Sequence, residues 1–212
     1  MMNALAGVAS AAAGTADVCE LLRPPQFAAA QSASFVDAEA GERTFAVLRC
    51  RTDEYCFTDR ALLHLDGSSP LSKKRLVTRY PLKEHRLSNV QIETAGTVDW
   101  DAELKFEFAG KHWSIDVAKK ELLSLTALWR ALVHVGEAQA ANERALDLAG
   151  KAFGAAAQTR TLQSAAAAGG PLAPGALFQD VAEGAFAWIA GKTELYRPAS
   201  YGAILERYVK YL

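Results

Sequence analysis

The 212 residues are half apolar, and 23 basic against 24 acidic side chains leave a net charge of -1. That length and composition can bury the core of one domain plus an appendage, which excludes a disordered or fibrous chain. Near-neutrality excludes a global field drawing the protein to nucleic acid or an anionic membrane, so any such binding needs a local patch.

In chain order, residues 1–41 read as an N-terminal helix and connection. The alanine-rich lead is best as a helix over residues 16–22, and Pro24 and Pro25 stop it. No basic residue precedes Arg23, which argues against a secretory leader or an Arg-rich transit peptide. Residues 27–42 are small, polar and poorly periodic, and predict a connection with room for one edge strand. Cys19, Cys50 and Cys56 are odd in number and lack metal-ligand spacing. They read as buried thiols of a cytoplasmic or other reducing compartment.

Strand patterning begins at Thr44. Residues 44–51 set Phe45, Val47 and Arg49 against Ala46, Leu48 and Cys50, a run that can be covered on both faces. Residues 55–58 and 61–65 predict two short strands joined by a polar turn. Asp66 and Gly67 open a loop ending in the basic triplet Lys73, Lys74 and Arg75. Leu76, Thr78 and Tyr80 then alternate with Val77 and Arg79 until Pro81, which lacks the N–H of a central ladder, ends the strand. Residues 87–94 are the fifth strand, and residues 102–109 turn through Gly110 and Lys111 into residues 112–117 as a hairpin. Leu104, Phe106 and Phe108 share one face of it and Lys105 and Glu107 the other, the pattern of an antiparallel sheet with one wet side.

At about Ala118 the period changes from two to 3.6. Leu122, Leu125, Leu128, Trp129, Leu132 and Val133 form one helical stripe, which places Trp129 under the mouth of a small barrel or sandwich closed by this helix.

The run Tyr55-Cys-Phe-Thr58-Asp-Arg-Ala-Leu-Leu-His-Leu65, the Lys73-Lys74 pair, Tyr80-Pro81, and above all Glu93-Thr94-Ala95-Gly96 with Asp99-Trp-Asp101-Ala102-Glu103-Leu104 resemble the bacterial pleckstrin-homology domain family. The resemblance covers about residues 42–134. It implies an α+β fold: a pleckstrin-homology-like, seven-stranded antiparallel barrel or sandwich closed by a C-terminal helix. Ala61 stands where the family usually has Arg, and Tyr80-Pro81 reverses the family's commoner order.

Elementary chemistry suggests structural roles for the signature. Gly96 supplies a turn angle that residues with a Cβ resist, and Asp99 and Asp101 can accept bonds from turn N–H groups. Glu93 or Glu103 can pair with Arg60, Arg79 or Arg86. The acidic cluster lacks the dense carboxylate loop of a calcium site, so no metal or cofactor is expected.

Residues 135–212 read as a separate helical extension. Ala138, Ala141, Ala145, Leu148, Ala152 and Ala155 form a narrow seam suited to a close partner helix, and Phe178, Val181, Ala185, Phe186 and Ile189 a heavier stripe. Tyr201, Ile204, Leu205, Tyr208 and Leu212 end the chain as an amphipathic set. A helical hairpin so placed resembles the extension of the YvbH-like branch of the same family, which implies an oligomerisation region. His64, His85, His112 and His134 are scattered, with no nucleophile motif and no phosphate-cradling loop. The expectation is a non-enzymatic module that self-associates into a symmetric homo-oligomer and acts as a scaffold. The alternative is a peripheral adaptor whose Lys73, Lys74 and Arg75 meet an anionic membrane, each cation worth about 1 kcal/mol, and the minor alternative is an enzyme.

Overall fold

The structure, a computed structural model, describes residues 17–67, 74–94, 101–167 and 174–210, the side chains of 159–181 and 209 excepted. Among these residues, eight strands form two antiparallel sheets. One sheet runs in the order β1 (Glu20–Leu21), β2 (Thr44–Arg49), β3 (Glu54–Thr58), β4 (Ala61–Gly67) and β5 (Arg75–Pro81). The other runs β6 (Ser88–Thr94), β7 (Asp101–Phe108) and β8 (Lys111–Ala118). Helices α1 (Leu122–Ala167), α2 (Pro174–Tyr196) and α3 (Gly202–Val209) follow. The pleckstrin-homology-like sandwich expected from the sequence is present, with one strand more than the seven expected.

The first unit spans Met1–Gly136 and Ala199–Leu212. Its core lies between the sheets. In β7 the alternation is strict: Ala102, Leu104, Phe106 and Phe108 are buried. Opposite them stand Tyr55, Phe57 and Leu62 of the larger sheet, with Phe57 and Phe106 meeting edge to face at 6.2 Å. The smaller sheet keeps one wet face, as its charge alternation predicts. The larger sheet does not: every residue of β3 is buried. Its outer face, Val47, Cys56, Leu63 and Leu65, packs under Leu22, Ala30, Phe27 and Val36.

That cover corrects two expectations. Of the expected helix 16–22, the described residues 17–22 are not helical, because Glu20–Leu21 pairs with Arg49 and Leu48 of β2. Nor are residues 27–42 a plain connection: two 3-10 turns, Pro24–Ala29 and Gln31–Phe35, lie there. Pro24 and Pro25 start the first of these, where their missing N–H groups cost nothing. Buried Glu54 fixes the second by accepting the N–H groups of Ser32 at 2.7 Å and Gln31 at 3.3 Å.

The cysteines are a third correction. Cys19 and Cys50 form a disulfide, and Cys56 alone is a free, buried thiol. Three reduced thiols were expected, so cysteine usage gives no sign of a reducing compartment. Cys19 also joins the sheets: its N–H donates to Asp116 O at 2.7 Å and its carbonyl accepts from Ala118 N–H at 2.9 Å.

After the short 3-10 turn Lys119–Glu121, α1 buries Leu125, Leu128, Ala131, Leu132 and Val135. Trp129 stands at the flank of this stripe, half-buried, with its indole N–H on Val90 O at 3.0 Å. It is therefore not the central plug expected. The helix approaches the β6 side closely enough that a Cβ on Gly136 would lie 2.6 Å from Leu87 O. No break separates residues 133 and 137: α1 is continuous over 46 residues.

The terminal helix also departs from expectation. Tyr201 and Leu205 are buried, and α3 belongs to the first unit and not to the extension. The second unit, Glu137–Pro198, comprises the rest of α1 and α2, which meet through stacked Phe153 and Trp188 at 5.4 Å. No described helix is long and apolar enough to cross a membrane.

Candidate functional site

The turn between β3 and β4 carries a dense set of polar contacts among the described residues of the first unit. Thr58 hydroxyl donates to Glu42 Oε1 at 2.5 Å and accepts the N–H groups of Ala61 and Arg60 at 2.8 and 3.1 Å. The Glu42 side chain is fully buried, and Arg79 of β5 grips it with two bonds of 3.0 Å. The Asp37 N–H adds a fourth bond at 2.9 Å. Burial pushes the Glu42 carboxyl up, but the bonds from Arg79, Thr58 and Asp37 outweigh it and hold the group below its ordinary value. Asp59 accepts Arg43 N–H at 2.8 Å and Ser200 hydroxyl at 2.5 Å, while its carbonyl accepts Tyr201 N–H at 2.8 Å. The turn thus anchors β5, the strand before it and the start of α3.

The rest of the signature is dispersed. Ala95, Gly96 and Asp99 lie outside the described residues, and Thr94 is exposed at the end of β6. Ala102 and Leu104 point into the core. Glu93 and Glu103 do not pair with Arg60, Arg79 or Arg86 as expected. Both meet Lys105, at 2.5 and 2.7 Å, because β6 and β7 bring all three onto the wet face of the small sheet. Arg60 instead reaches Ala40 O at 2.6 Å. Asp101 is half-buried at the start of β7. Among the described residues, no group of three His, Cys, Asp or Glu side chains could hold a metal ion.

Of the basic triplet, Lys73 lies outside the described residues, and Lys74 is exposed. Arg75 turns back, its guanidinium donating to Lys74 O at 3.2 Å and lying beside Gly67. The histidines occupy separate places. His64 stacks on Tyr55 at 4.6 Å, His112 faces Glu107 at 3.4 Å, and His134 meets the Tyr208 hydroxyl at 2.5 Å. His85 sits edge-on to Phe108 at 5.8 Å. Between the sandwich, α1 and α3, a cavity of ≈ 10 Å³ is lined by Phe57, Leu62, Leu87, Phe108, Leu132 and Leu205. This is room for about one water and no organic ligand.

The second unit offers something different. Leu148, Phe186, Ile189 and Leu195 are 64, 76, 46 and 60% exposed. The alanine seam read from the sequence stays largely uncovered too, with Ala141, Ala152 and Ala155 exposed. The helices meet instead through Phe153 and Trp188, and Lys192 lies over the Trp188 ring at 5.7 Å. Neither aromatic belongs to the stripes that periodicity singled out. On α2, Phe186 and Ile189 lie about 60° apart around the helix and share a face, whereas Leu195 lies about half a turn from Phe186.

Comparison with known proteins agrees with this architecture. Residues 14–135 match the family model described as Bacterial PH domain. The uncharacterized protein YvbH of Bacillus subtilis (strain 168) is 29% identical over 206 residues, 95% of this chain and 97% of that protein. A crystal structure of a PH domain containing bacterial protein from Exiguobacterium sibiricum 255-15 superposes with a TM-score of 0.78 at 34% identity, over 91% of this chain and 100% of that one.

Proposed function

The chain belongs to the bacterial PH domain family, and from that premise we propose that it is a non-enzymatic module that self-associates into a symmetric homo-oligomer and serves as a scaffold. The observation that carries this reading is the exposure of Leu148, Phe186, Ile189 and Leu195 on the helical unit. Fully burying such a side chain is worth about 1.5–3 kcal/mol. Phe186 and Ile189, which share a face of α2, contribute about 3–6 kcal/mol from one copy, little against an association cost of about 4–15 kcal/mol. A two-fold interface presents the same patch from both copies and doubles the gain, which favours self-association through a symmetric contact. The outer edges of β5 and β6, which pair with no further strand among the described residues, offer a second route to the same end.

Light scattering on the full chain at micromolar concentration tests the reading. The mass should be a multiple of 22.8 kDa. Phe186→Glu combined with Ile189→Glu should lower it while leaving the circular dichroism of the first unit intact. A wild-type monomer at that concentration refutes the proposal. Binding to anionic membranes through Lys73, Lys74 and Arg75 has weaker support, since Arg75 folds back on the chain. Salt-sensitive co-sedimentation with phosphatidylserine vesicles would point to it.

A further inference from the structure

We propose that Cys19 and Cys50 are a redox-exchange site whose substrate is a dithiol reductant, and that their disulfide clasps the N-terminal cover onto the outer face of the larger sheet. The cover is short 3-10 structure, which holds itself weakly, and its apolar contacts are Leu22, Phe27, Ala30 and Val36. It lies in sequence between Cys19 and β2. With the disulfide made, both ends of this stretch are pinned to the sheet and the cover can only bulge. With it broken, the leading end is held only by non-covalent ties, among them the pairing of β1 with β2 and the two backbone bonds of Cys19 to Asp116 and Ala118, and opens more readily. Cross-linking a loop of this separation, 31 residues, acts on just such open states.

The remaining ties are non-covalent. The Asp17 carboxylate accepts Arg51 and Thr52 N–H groups at 2.5 and 3.0 Å, and Leu22 N–H donates to Val47 O at 2.9 Å. Arg23 donates to Glu121 at 2.9 Å and Ser124 at 2.8 Å. Cys50 is the more exposed residue of the pair, half-buried where Cys19 is 1% exposed. A reductant thiolate therefore attacks Cys50 Sγ, the S–S bond breaks, and its electron pair leaves on Cys19 Sγ, which takes a proton. The reductant's second thiolate attacks the mixed disulfide, releases Cys50 as a thiolate that is then protonated, and ends as its own disulfide. Two electrons and two protons pass to the protein. The reduced Cys19 thiol finds an acceptor in Asp17 O, 3.6 Å away.

Cys56 reports the opening. It is fully buried beneath the cover, and burial pushes its thiol up to about 11 from an ordinary 9.0. Exposure raises its thiolate fraction at pH 8 by about a hundredfold, in addition to any gain in access.

The test is native-state alkylation of the full chain with iodoacetamide, followed by mass spectrometry, with and without dithiothreitol. Denatured, air-oxidised protein should titrate one thiol. Reduction should speed alkylation of Cys56 by at least about tenfold with far-UV circular dichroism unchanged. The Cys19→Ser/Cys50→Ser variant should show the fast rate in both conditions. Should it fail to fold, the wild-type pair of measurements decides alone. Three thiols in the oxidised protein, a Cys56 rate unchanged by reduction, or loss of circular dichroism alongside the rise would each overturn the clasp.

Discussion

Replacing Glu42 with Gln tests whether the polar turn holds the sandwich together. The substitution keeps the shape but removes the charge that four bonds converge on, two of them from Arg79 at 3.0 Å. The amide nitrogen would face a guanidinium or hydroxyl donor, and Arg79 would lose its counter-ion. Bonds to a charged group contribute about 1.5–3 kcal/mol, and stripping one member from a buried pair costs about 3–5 kcal/mol. Because the Arg79 side chain is 39% exposed, water recovers part of the loss, and about 3 kcal/mol is the expected cost. With a urea slope near 2 kcal/mol/M, the midpoint should fall by about 1.5 M. A pH series adds a second check. The folded Glu42 carboxyl lies below its ordinary 4.5, so its contribution is complete above that value and is lost as pH falls through the folded one. Wild-type stability should therefore decline more steeply than that of Glu42→Gln as pH drops below about 4.5. A loss under about 0.5 kcal/mol at pH 7, with parallel pH profiles, would show the turn to be as dispensable as an ordinary surface site.

Gly136→Ala should destabilise by about 1–3 kcal/mol, because the new Cβ meets backbone, Leu87 O, at 2.6 Å. A raised melting temperature instead would mean that helix propensity outweighs contact there. Trp129→Ala should cost about 2 kcal/mol, less than a fully buried aromatic, since the ring is half-buried and surrenders one bond to Val90 O; a loss above 4 kcal/mol in urea unfolding would restore it to the core. Leu205→Ala should lose about 2–4 kcal/mol in thermal unfolding, as for a core leucine, since Leu205 is 3% exposed in the first unit. A neutral result there would assign the terminal helix to the extension after all.

Local pattern carried the strands because a period of two, broken by Asp66-Gly67, Pro81 and Gly110, is written in each segment by itself. What failed depended on partners distant in sequence. Glu20 and Leu21 have helical neighbours in composition, yet they form β1 because Leu48 and Arg49 offer an edge to pair with. Tertiary pairing overrides so weak a helical preference. Cys19 and Cys50 stand 31 residues apart with nothing in their spacing to announce a bond. Only the pairing of β1 with the end of β2 brings them together. The terminal helix presents the same difficulty: its amphipathic set was legible, but Asp59, which receives Tyr201 N–H and the Ser200 hydroxyl, lies over a hundred residues earlier. Trp129 was misplaced for a smaller reason. A helical stripe fixes which residues share a face, not which of them lies at its centre, and the buried line runs through Leu125, Leu128, Leu132 and Val135.

The signature recognised the fold better than it could point to a ligand, and the geometry explains the difference. Thr58 closes a turn through its hydroxyl, Ala102 and Leu104 fill the core, and Glu93 and Glu103 share Lys105 on the sheet surface. Side chains committed to each other in this way can be recognised in sequence because the backbone demands them, and for the same reason they have little capacity left for a partner. Residues that the fold does not need keep that capacity. On the helical unit, Leu148, Phe186, Ile189 and Leu195 meet that condition: they are large, apolar and exposed, and the stacked pair Phe153 and Trp188 already joins the two helices. Their exposure is a standing cost in hydrophobic free energy, which is removed if a second copy covers them.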